Sequence, residues 1–141
     1  MSEDGGAVSF PYVLDVSILT AVARADAGVT GLIMGQPVTI PALAVAAASL
    51  DRRSADADRA LRGLEKLGNV TIAPLQGTVE AIRLAAVIAR TGLDPYDAHV
   101  AAVADAAVCP ILTLDAAKWQ EHARDLDEPL HFVEIAEPGE A

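Results

Sequence analysis

The chain has 141 residues, 52% of them hydrophobic and only 4% aromatic, with a mean hydropathy of +0.35. Ten basic against twenty acidic residues leave a formal net charge of −10, which excludes broad electrostatic capture of nucleic acid, because that needs phosphates neutralised by Lys and Arg. The length suits one domain with a core of Ala, Val, Leu and Ile, and a single cysteine, Cys109, excludes an internal disulfide.

Residues 1–9 read as a flexible tail, acidic and glycine-bearing, without the basic flank and apolar centre of a signal segment. Residues 10–14 are expected to form a first strand closed by Asp15. Ser17 is then expected to cap a helix in which Ile18, Leu19, Val22 and Ala23 recur at helical spacing. Residues 25–36 carry glycines and read as a helix end and a loop. Residues 37–40 suit a short second strand, and Pro41 starts an alanine-rich helix. The apolar run at residues 40–50 is too short to span a bilayer. A cytoplasmic protein with no membrane partner is the expectation.

Residues 54–67 read as a helix ended by Gly68, with a charged, solvated face. Arg52, Arg53, Arg59 and Arg62 make that region a local basic strip, the one place suited to contacting a polyanion such as RNA. Residues 70–73 suit a third strand and 78–90 a helix. Asp94-Pro95 then opens another helix: the aspartate accepts from free N–H groups of the first turn, and proline lacks an N–H where none is needed. Asp97 sits in the first turn, where the helix dipole favours a carboxylate. Residues 98–107 are small or apolar on almost every side, so this helix should be buried. Residues 109–114 read as a buried strand opened by Pro110, with Asp115 at its end. A helix over 116–124 containing Trp119, a strand over 131–135 and an acidic tail over 136–141 complete the chain.

Strands alternating with helices imply an α/β fold with a mostly parallel sheet. In such sheets ligands gather beyond the carboxyl ends of the strands. Asp15, Asp97 and Asp115, at two strand ends and a helix start, are therefore candidates to converge in one cleft. Unscreened they would repel: two unit charges ~4 Å apart cost on the order of 4 kcal/mol at an effective dielectric of about 20. A hard divalent cation removes that repulsion, and Mg²⁺ favours carboxylate oxygens and waters. The chain has no glycine-rich phosphate loop, no GxSxG, no HExxH and no paired CxxC.

Three stretches, YVLDVS at residues 12–17, DPYDAHVAAVA at 94–104 and ILTLD at 111–115, together resemble the PIN domain of VapC-type toxin ribonucleases, across residues 10–135. The resemblance implies a three-layer α/β/α sandwich. It implies Asp15, Asp97 and Asp115 as catalytic metal ligands for Mg²⁺ or Mn²⁺, with Ser17, Thr113 and Asp94 lining the cleft. It further implies a cytoplasmic ribonuclease, the toxin of a toxin–antitoxin pair, which forms a homodimer and is held by a small antitoxin. One feature departs from the pattern. Ala46 stands where the family carries a glutamate early in the helix after the second strand. The alternative expectation is a weakened module that binds RNA or a protein partner without cutting.

Overall fold

The computed structural model describes residues 12–123 and 132–134. The expected tails at 1–9 and 136–141 lie outside the described residues, as do Phe10, Arg124, His131 and Ile135 at the ends of expected elements. The described strands are β1 (Tyr12–Leu14), β2 (Val38–Pro41), β3 (Val70–Ala73), β4 (Ile111–Thr113) and β5 (Phe132–Glu134). They pair side by side in the order β3-β2-β1-β4-β5, and all four pairings are parallel. The sheet is thus wholly parallel where a mostly parallel one was expected. Its neighbours β1 and β4 are joined in register at Val13–Ile111 and Leu14–Leu112. That pairing sets the carboxyl ends of both strands, and the residues just after them, side by side.

Parallel strands need crossover connections, and here these are helices. They are α1 (Val16–Ala23), α2 (Ala27–Met34), α3 (Ala42–Asp51), α4 (Ala55–Glu65), α5 (Gly77–Thr91), α6 (Pro95–Ala107) and α7 (Ala116–Ala123). Helices cover the sheet to give the three-layer α/β/α sandwich. Among the described residues no single helix is long and apolar enough to cross a membrane.

Local chemistry explains most boundaries. Asp15, and not Ser17, is the N-cap of α1: its carboxylate accepts from the Ile18 N–H. Ser17 already lies within the first turn, where its hydroxyl is free for other partners. Asp26 caps α2, accepting from the Gly28 and Val29 N–H groups. The segment expected to be a helix end and loop is therefore a helix in its own right; two glycines had hidden the periodicity of Val29 and Ile33, which are fully buried. Ser54 caps α4 and Asp94 caps α6. Gly92 ends α5 in the left-handed region at φ 73, and its N–H closes back on the Ile88 carbonyl at 2.9 Å.

The central helix, α6, packs against α3, α5 and strands β1, β2 and β4. Its first turns are buried from Asp97 to Ala102, as the small-residue run predicts. Its last turn is not: Ala106, Ala107 and Val108 are exposed, Val108 by 87%. The strand that follows is shorter than expected. It begins at Ile111, leaving Cys109 half-buried ahead of it.

Candidate functional site

Asp15 is the centre of the site. It follows β1, is 0% exposed, and its carboxylate accepts from three donors inside the protein. Its Oδ1 accepts from the Ser17 hydroxyl at 2.6 Å and from the Ile18 N–H at 3.1 Å. Its Oδ2 accepts from the Trp119 indole Nε1–H at 2.8 Å. A buried carboxylate is tolerable only when its lone pairs are met in this way.

The ends of β1 and β4 are tied together through hydroxyls. Ser17 Oγ accepts from the Leu114 N–H at 2.9 Å and lies 3.4 Å from Thr113 Oγ1. Ser17 has one proton and gives it to Asp15, so Thr113 is the donor in that contact. Thr113 Oγ1 in turn accepts from the Asp115 N–H at 2.9 Å. Ser17 and Thr113, both expected in the cleft, are thus part of one network that begins at Asp15.

Asp97 joins from α6. Its backbone N–H donates to the capping carboxylate of Asp94 at 2.8 Å, and its side chain is mostly buried. The ammonium of Lys118 lies 3.1 Å from Asp97 Oδ1 and 5.2 Å from the centre of the Trp119 ring. Burial pushes the Asp97 carboxyl up from its ordinary range; Lys118 opposes that shift, and the negative charges of Asp94 and Asp15 add to it. Asp15 and Asp97 therefore share one electrostatic environment. Asp115 is exposed, with Oδ1 accepting from the Lys118 N–H at 3.3 Å at the start of α7. Its neighbour Ala116 donates its N–H to Glu134 at 2.9 Å.

Lys118 and Trp119 are the residues contacting these acids that sequence reasoning passed over. Both lie on α7, three and four residues after Asp115. The available signal was the chain's one tryptophan, one turn beyond a candidate acid.

The donor set decides whether a divalent ion fits. Both oxygens of Asp15 are engaged, one oxygen of Asp97 holds an ammonium, and Ala46, half-buried on α3, offers no carboxylate. Among the described residues no three His, Cys, Asp or Glu side chains form a group able to hold a metal. In this arrangement no ligand set for Mg²⁺ or Mn²⁺ is preformed among the described residues. The cation in the acid pocket is Lys118.

Half of the expected basic strip is spent on internal pairs. Arg53 pairs with Asp58 at 3.3 Å and Arg59 with Asp56 at 3.1 Å. Arg52 and Arg62 are exposed nearby.

His99, also on α6, is 3% exposed, and its Nδ1 accepts from the Leu43 N–H at 3.2 Å. Burial lowers its pKa, against the opposing pull of Glu80. The unfolded chain then binds a proton near pH 6.5 that the folded chain resists, so stability should fall as pH drops through that value. Urea midpoints measured from about pH 7.5 to about pH 5.5 check this against the ordinary histidine range. His99→Gln should flatten the fall; an equal slope in both proteins would mean that the imidazole is not held neutral.

No family model matches the chain, and no curated protein matches it. Solved structures do. A toxin–antitoxin complex from Klebsiella pneumoniae matches at 16% identity and TM-score 0.54, over 73% of this chain and 85% of that one. VapBC2 from Rickettsia felis, bound to a DNA fragment from their promoter, matches at 14% identity and TM-score 0.59, over 88% and 98%. PAE2754 from Pyrobaculum aerophilum matches at 20% identity and TM-score 0.58, over 89% and 92%. At these identities the likeness is one of architecture, and together with the parallel sheet and the aspartates at its carboxyl edge it makes this chain a protein of PIN-like fold.

Proposed function

We propose that the chain is the toxin-like half of a toxin–antitoxin pair, a PIN-like module, homodimeric, whose chief partner is a small, cationic antitoxin-like protein. The observation that carries this reading is the Lys118 ammonium 3.1 Å from Asp97. The acid pocket already holds a side-chain cation, and that side chain is only part-buried. A guanidinium from a partner can take its place and bind the carboxylate bidentately, which an ammonium cannot. A net charge of −10 draws such a partner in and repels RNA, and half of the candidate RNA-contacting arginines are paired within the chain. Two of the structural neighbours are toxin–antitoxin assemblies.

Co-expression with the genomic neighbours, followed by affinity purification, tests it. A small basic protein should co-purify at low salt and be released at high salt, and Asp97→Asn should weaken its retention. Recovery of the chain alone at low salt would sink the proposal.

A second reading, a Mg²⁺- or Mn²⁺-dependent endoribonuclease, is favoured by Asp15, Asp97 and Asp115 standing in the three stretches that resemble the PIN pattern. Cleavage of single-stranded RNA by the wild type with Mn²⁺, lost in Asp97→Asn, would establish that reading in place of a purely binding role.

A further inference from the structure

A second cavity, of about 330 Å³, lies between α5 and α6 at the end of β3. Its size falls within the roughly 300–1,000 Å³ of small-molecule sites. Its wall is low and smooth. Ala102 and Ala106 are one turn apart on α6, and Ala73 closes β3. Small residues in such positions leave room for a flat ring to lie against them. His99 lines the same space and is 97% withdrawn from solvent, being 3% exposed. Its Nδ1 accepts from the Leu43 N–H, so in the neutral ring the proton sits on Nε2. Among the described residues no hydrogen bond accepts from that Nε2–H, and a buried donor without an acceptor is unfavourable. Glu80 is close enough to act on the His99 charge and also lines the cavity. Its carboxylate is anchored by accepting from the Gln76 N–H at 2.6 Å, which leaves its other oxygen to accept again. Arg83, one turn on along α5, also lines the cavity.

We propose that this cavity binds an uncharged planar heterocycle with a cyclic-amide edge, its carbonyl accepting from His99 Nε2–H and its ring N–H donating to Glu80. A carboxylate ligand would face Glu80, and an ammonium ligand would leave the imidazole N–H unmet. A flat lactam edge offers the acceptor and the donor side by side. The same edge is found on a free base and on an unpaired base in a strand.

The test is NMR titration of the ¹⁵N-labelled full chain with 2-pyridone, with uracil and, as a shape control, with benzene. The His99 imidazole resonances and the Leu43 and Ala102 amides should shift saturably with 2-pyridone and uracil. Glu80→Ala should weaken both by about tenfold, the order expected for one lost hydrogen bond. Ala106→Leu, at an exposed position that the fold tolerates, should fill the cavity and abolish the shifts. A short oligouridine that binds more tightly than uracil assigns the ligand to a strand; one that does not bind assigns it to the free heterocycle. Benzene binding as well as 2-pyridone, indifference to Ala106→Leu, or no shift with either lactam would overturn the proposal.

Discussion

Trp119→Ala should lower the stability of the fold by ~4 kcal/mol, within the usual range for removing a buried Trp. The indole is 0% exposed and among the largest fully buried side chains. Trp119→Phe separates the two components of that loss. It keeps most of the ring but removes the Nε1–H, which meets Asp15 Oδ2 at 2.8 Å. A buried carboxylate oxygen left without its donor should cost about 1–3 kcal/mol. Urea unfolding at neutral pH reads both. A Trp119→Phe protein as stable as wild type would show that the indole N–H contributes packing geometry and nothing more. A Trp119→Ala loss no larger than that of Trp119→Phe would deny the ring its place in the core.

Lys118→Met should lower stability at pH 7 by roughly 1–3 kcal/mol, the scale for leaving a buried polar or charged group without its partner. Met keeps the length of the side chain and removes the ammonium that lies 3.1 Å from Asp97. The sign with pH follows from Asp97. Its pKa is already raised by burial, and without Lys118 the largest opposing influence is gone. A carboxyl whose folded pKa lies above its unfolded value takes up a proton on folding. The penalty is therefore present at neutral pH and shrinks as pH falls through the raised folded pKa. The same variant vacates one oxygen of Asp97. Mn²⁺ should then raise the melting temperature of Lys118→Met, because a ligand of the folded state alone stabilises it, while leaving the wild type unmoved. A wild type whose melting temperature already climbs with Mn²⁺, and ceases to do so in Asp97→Asn, would show that Lys118 is no barrier to metal.

The layers of the fold were legible because their signals are local. Asp94-Pro95, Ser54 and Gly92 mark helix ends through bonds within a few residues, and short apolar runs mark β2, β3 and β4. The cap of α2 was just as local, since Asp26 precedes the helix, but Gly28 and Gly31 weakened the pattern that it introduces. The limits of α6 were harder to see. Ala101 and Ala107 are the same residue type, yet one is core and the other surface, and only the neighbouring elements decide which. The site divides in the same way. Asp15 could be picked out from its place after a strand. That its carboxylate is closed by Trp119 depends on a contact between residues 104 apart in sequence, and the Lys118–Asp97 pair spans 21. Those contacts are set by the parallel pairing of β1 with β4, which brings the start of α7 beside the end of β1. No window of sequence contains them. Asp115, by contrast, was singled out by position, and the bond its carboxylate accepts from the first turn of α7 is a local one.

The same indole gives the molecule an optical property. The chain holds one tryptophan, so all of its red-edge ultraviolet fluorescence arises from a single ring lodged between Asp15 and the Lys118 ammonium. A ring shielded from water emits toward the blue, and its brightness responds to charge at its face and to the group that its N–H touches. Unlabelled protein therefore carries its own lamp at the acid pocket. Stopped-flow emission can time a cationic side chain displacing Lys118 without a dye, a tag or a second reporter.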